Sequence, residues 1–118
     1  MENHTVTKAS EITGMSVRNL HNENLGEIND IVMDKSSGKV NYLVLDFGGL
    51  LSFGNKFFAV PWSFFTYNNS EDCFVINVDK ETLKNAPGFD KDKWPNFASP
   101  NFTSSIDKYY QPHHKKNP

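Results

Sequence analysis

Glu27, Asp30, Asp34 and Asp46 fall within one short stretch of the chain, and grouped carboxylates are the hard oxygen donors that calcium or magnesium takes. If strand pairing brings Asp30 and Asp46 to one rim, these two are the candidate ligands. The spacing does not form the ordered loop of alternating carboxylates of a dedicated calcium motif. The other reading is that the charges guard solvent-facing strand positions against mispairing. His4, His21, His113 and His114 offer imidazoles, but they stand near the chain ends or in an Asn-rich turn, where no fold fixes their geometry. Adventitious binding by His113-His114 is the most they suggest. Gly48, Gly49 and Gly54 match neither a dinucleotide fingerprint nor a P-loop, and fit a hairpin connection that needs positive φ. Cys73, inside Cys-Phe-Val-Ile-Asn-Val, reads as a small core hydrophobe, not a nucleophile. No Ser-His-Asp or Cys-His grouping has a recognisable context, so neither catalysis nor a cofactor is expected.

The elements that must position these residues are short. Residues 16–18 are extended and lead into an Asn-rich turn over 19–24. Residues 25–33 form a strand whose apolar set, Leu25, Ile28, Ile31, Val32 and Met33, breaks parity, which predicts a bulge near Asn29-Asp30. Gly38 takes the left-handed position of the next reversal. Residues 40–47 alternate on both faces, which predicts a central strand covered on each side. Residues 56–60 follow as a strand that Pro61 ends, then a tight helical turn at 62–65, an extended pair at Thr66-Tyr67, and a last strand over 73–78. The reading is an all-β fold, a small antiparallel barrel of about five or six strands.

The chain changes character at Asp79, which caps a short helix through Leu83. Residues 86–100 hold Pro87, Pro95 and Pro100 with Phe89, Trp94 and Phe97 among them, too many rings for a solvated linker. They predict an irregular strap across the barrel. Ser99-Pro100 then starts a short helix with Phe102, Ile106, Tyr109 and Tyr110 on one stripe. The expected organisation is a barrel over residues 10–83, a strap and helix over 84–110, and flexible termini at 1–9 and 111–118.

The 118 residues bound a single domain, with ten Phe, four Tyr and two Trp concentrating the apolar area in rings. A formal charge of −2 gives no field for a phosphate backbone, so general nucleic-acid binding is not expected. One cysteine, no basic-then-apolar leader and no run long enough for a membrane span point to a cytoplasmic protein without membrane insertion. Leu50, Leu51 and Phe53 stand at a hairpin tip, where apolar side chains need a cover. That cover is the strap or another protein. With Trp62 and Trp94 they are the candidate interaction residues, and two copies closing on this patch predict a homodimer.

Three runs carry a family resemblance: Gly26-Glu-Ile-Asn-Asp-Ile-Val-Met-Asp34, Gly38-Lys-Val-Asn-Tyr-Leu-Val-Leu-Asp-Phe-Gly-Gly49 and Phe58-Ala-Val-Pro-Trp62. With Gly14-Met-Ser-Val17 they resemble the PRC-barrel family, the small barrel of the photosynthetic reaction centre H subunit and of a ribosome-maturation factor. The resemblance covers about residues 10–83, and the Pro-Gly-Phe-Asp, Trp-Pro and Tyr-Tyr pairs beyond it are similar to the tails of stand-alone bacterial members. It implies a protein-interaction barrel, an adaptor or scaffold, with no catalytic residues to carry over. Neither the membrane helix of the first nor the preceding domain of the second has a counterpart here, so neither supplies a partner. Two alternatives stand beside it, a ligand- or metal-responsive module using the acidic rim and a role in ribosome or RNA-processing assembly.

Overall fold

The computed structural model describes residues 6–47 and 56–113. Its elements are α1 (Ala9–Ile12), β1 (Ser16–Asn19), β2 (Asn24–Met33), β3 (Val40–Asp46), β4 (Lys56–Pro61), β5 (Phe65–Asn68), β6 (Cys73–Ile76), α2 (Lys80–Lys84), β7 (Phe89–Asp90) and α3 (Pro100–Tyr110). Single 3-10 turns span Trp62–Phe64 and Gln111–His113. None of the described helices is long and apolar enough to cross a membrane.

The strands form one seven-stranded sheet in the order β5-β6-β1-β2-β3-β4-β7. Five expectations are corrected by it. Among the described residues the sheet does not close, because β7 takes the free side of β4 and β5 pairs with β6 at the far end. Pro61 has no N–H to extend β4, and the following 3-10 turn redirects the chain away from β4. The pairing is not all antiparallel, since β1 lies parallel to β6 through Val17 opposite Phe74 and Asn19 opposite Ile76. The strands number seven. The strand ending at Ile76 is not the last, for Phe89 and Asp90 add a two-residue rung, too short for any alternation to announce. The middle position falls to β2, with β3 beside it.

The ends also differ from expectation. Residues 9–12 make one helical turn, in which the Glu11 carboxylate accepts from the Lys8 N–H at 3.2 Å. Residues 111–113 continue as a 3-10 turn after α3, not as a free tail. Asp79 caps α2 as expected, accepting from the Thr82 N–H at 2.8 Å. Ser99 does hold the cap position of α3, but its hydroxyl makes no bond to the helix; its carbonyl accepts from the Thr103 N–H at 3.1 Å.

Packing follows from alternation. Leu43 and Leu45 lie beside Val60 and Phe58 on one face, while Tyr42, Val44 and Ala59 share the other with Phe57, and all eight are buried. The first face packs on Phe47, whose ring is 4.9 Å from that of Phe58. Leu25, Ile28 and Val17 are fully or almost fully buried in the same core. The bulge in β2 stands where parity broke: Ile28 faces Leu45 and Asp30 faces Val44, leaving Asn29 as the extra residue. At the start of this strand Gly26 has φ +94°, and a Cβ there would sit 2.2 Å from the Asp46 carbonyl oxygen and 2.9 Å from the Phe47 Cα. Only glycine lets β2 approach β3 so closely.

Gly38, at φ +76° in the β2–β3 turn, would meet nothing within 4 Å. The two positions therefore separate backbone conformation from space. Gly38→Ala is expected to cost about 1 kcal/mol, from the left-handed backbone alone. Gly26→Ala adds overlap with a paired strand and is expected to cost about 3 kcal/mol or more. Urea unfolding of the two variants checks this; equal midpoints would show that the β2–β3 approach is not tight.

Candidate interaction surface

Pairing brings Glu27, not Asp30, directly opposite Asp46, while Asp30 lies opposite Val44. The Asp30 carboxylate accepts from the Ile31 N–H at 2.8 Å, and Asp34 accepts from the Ser36 and Ser37 N–H groups at 2.8 and 3.0 Å. Those two N–H groups hold the exposed Asp34 carboxyl below its usual pKa. Asp46 meets Lys91 Nζ at 3.4 Å, and the same ammonium lies 5.2 Å from the centre of the Phe57 ring. Among the described residues no group of three or more His, Cys, Asp or Glu could hold a metal.

A cleft of about 310 Å³ opens beside the β1–β2 turn, lined by Asn19, His21, Asn77, Asp79, Thr82 and His113. Much of its polar lining is occupied. Asn19, a buried polar side chain, accepts from the His21 and Glu23 N–H groups at 3.0 Å each and donates to the Glu23 carboxylate at 2.7 Å. It builds the turn. Cys73 is a free, buried thiol.

The aromatic residues do converge, in two places. At the β7 edge Trp94 sits edge-on to Phe57, Phe89 and Phe97 at 5.7, 5.0 and 6.2 Å, with 42% of its surface exposed. The segment that carries it is held across the sheet. Phe97 reaches the Tyr42 ring at 5.9 Å, and Phe102 meets Phe97 at 5.3 Å. The Tyr42 hydroxyl donates to Asp107 of α3 at 2.9 Å, and the Tyr109 hydroxyl donates to the Thr82 carbonyl at 2.7 Å. At the other end Phe74 is the hub. Trp62, Phe65 and Tyr67 surround it at 6.0, 6.0 and 5.4 Å. Phe74 is 5% exposed, whereas Trp62 and Tyr67 are 39% and 37% exposed. The Tyr67 hydroxyl donates to Asp72, which raises its pKa.

The two tryptophans thus stand in separate clusters. Leu50, Leu51 and Phe53 lie outside the described residues. Phe65 and Tyr67 were not among the candidates read from the sequence; their signal was the same-face alternation in Phe65-Thr66-Tyr67, directly after the turn that follows Pro61.

The sequence model described as PRC-barrel domain fits residues 4–83 of the chain. No curated protein matches the chain.

Two tyrosines fasten α3 in opposite ways. Tyr42 is hydrogen-bonded through its hydroxyl, while Tyr110, fully buried against Phe64 at 5.5 Å, has a hydroxyl with no partner among the described residues. Burial raises both above the ordinary tyrosine value, Tyr42 further so beside Asp107. Tyr42→Phe is expected to lower stability by about 1 kcal/mol, and Tyr110→Phe to leave it unchanged or raise it. Raised phenol values make the neutral form the folded one. With both neutral, stability is full below the unfolded tyrosine value near 10, and it is lost as pH climbs from there through the folded values. Phenolate absorbance should therefore show fewer tyrosines ionising near pH 10 in the folded chain than in urea.

Proposed function

The chain belongs to the PRC-barrel domain family, and on that premise we propose that it acts as a non-catalytic protein-interaction module whose contact surface includes the ledge around Trp62. One observation supports this most. Trp62 and Tyr67, each more than a third exposed, rest on a buried phenylalanine that fixes both rings. Rings already held in place lose little freedom on binding, and tryptophan and tyrosine dominate the energetic centres of protein interfaces. Trp94 is a second exposed ring backed by buried ones.

The side chains that could do chemistry are engaged in structure in this reading. Asp34 and Asp79 cap turns, Asp46 meets Lys91, and Cys73 is buried. A free core thiol also suits a reducing compartment, and a cytoplasmic setting is part of the proposal.

The test is photo-crosslinking in the native host, with benzoylphenylalanine replacing Trp62 and, as a control, exposed Lys35. Discrete protein adducts from position 62 and none from position 35 are expected. Equal, diffuse labelling from both would remove the Trp62 ledge as an interaction surface.

A further inference from the structure

Strand β5 is the long open edge of the sheet. It pairs with β6 on one side, from Phe65 opposite Ile76 to Asn68 opposite Cys73, and among the described residues no strand pairs on its other side. The opposite edge, β7, is a two-residue rung carried by the strap. Natural edges are guarded by lysine, proline or inward charge, and Phe65-Thr66-Tyr67-Asn68 has none of these. Its charged neighbours in the β5–β6 turn are already engaged, Asp72 by the Tyr67 hydroxyl and Glu71 by Arg18 at 4.0 Å.

We infer that β5 pairs antiparallel with β5 of a second copy of this chain, about a two-fold axis at Thr66. This rests on the interaction-module reading and names its occupant. Self-complementarity selects the second copy. A two-fold sets the edge against its own sequence, with residues equally spaced about the axis facing one another, and Phe65-Thr66-Tyr67-Asn68 carries no charge that this would bring beside its like. Symmetry selects the register. Two antiparallel edge strands lie side by side only about an axis normal to the sheet, so the axis must pass midway between a residue and its own copy, and same-face side chains stay together. At Thr66, an exposed residue, that axis sets threonine against threonine and Phe65 against Tyr67 twice. Both cross-strand aromatic pairs then fall on the face that carries Phe74, since Tyr67 is directly opposite Phe74 in β6.

Light scattering on the full chain at high micromolar concentration is expected to give a dimer. Thr66→Lys and Thr66→Asp should each give monomer, and mixing them should restore a dimer of one of each. Because a charged variant can fail for want of folding, Thr66→Cys supplies a second measurement. Cross-strand Cα separations of about 4.5–5.5 Å lie within disulfide reach, so mild oxidation should give a covalent dimer from Thr66→Cys and none from Asn68→Cys. A monomeric unmodified chain, a dimer that survives in both charged variants, or cross-linking through Asn68→Cys instead would each overturn the pairing. A monomeric chain that still gives adducts to another protein from position 62 would overturn it and leave the interaction reading intact.

Discussion

Everything in this molecule depends on β3 and β4 being apolar on both faces. A sheet buried on one side needs one cover; these two strands need two. The first cover is the rest of the sheet and its core, where Leu43, Leu45, Phe58 and Val60 meet Phe47 and the residues of β1 and β2. The second is the C-terminal segment, whose Phe89, Phe97 and Phe102 close over Phe57 and Tyr42. Residues beyond the family match at 83 thus occupy a face that the matched strands leave apolar.

This division explains where the exposed rings are found. A cover made of edge-to-face rings is finite, and the ring at its margin, Trp94, is left half in solvent. At the other end the sheet stops at a short hairpin, so the rings that shield Phe74 have nothing further to shield them. The candidate surface is therefore made by the same packing that builds the core. Asp30, Asp34 and Asp46 follow the opposite logic, since the first two carboxylates turn to nearby backbone N–H groups and the third to the Lys91 ammonium.

Local physics was legible in the sequence. Lost parity at Asn29-Asp30 announced the bulge, Pro61 the end of β4, Gly38 the left-handed turn, Asp79 the α2 cap, and the three rings of residues 86–100 a segment that docks. What escaped was long-range or small. The parallel partner of β1 depends on which edge the β5–β6 hairpin finds, and no pattern inside either strand specifies that. A two-residue strand leaves no period to detect. Trp62 and Trp94 were read together as candidate interaction residues by type, but their separation into two clusters required the sheet order, as did the pairing of Asp46 with Glu27 in place of Asp30.

The parallel pairing of β1 with β6 carries a consequence for the order in which the chain assembles. Strands β2 and β3 are joined by a tight turn and β3 pairs with the next strand in sequence, so they can meet early, whereas Val17 must find Phe74 across most of the domain. The entropy of closing that loop is spent before any rung of the pair returns it. The β5–β6 hairpin therefore joins late, and until it does the far side of β1 is bare. On a ribosome the delay is obligatory, because β1 leaves the exit tunnel well before its partner has been made.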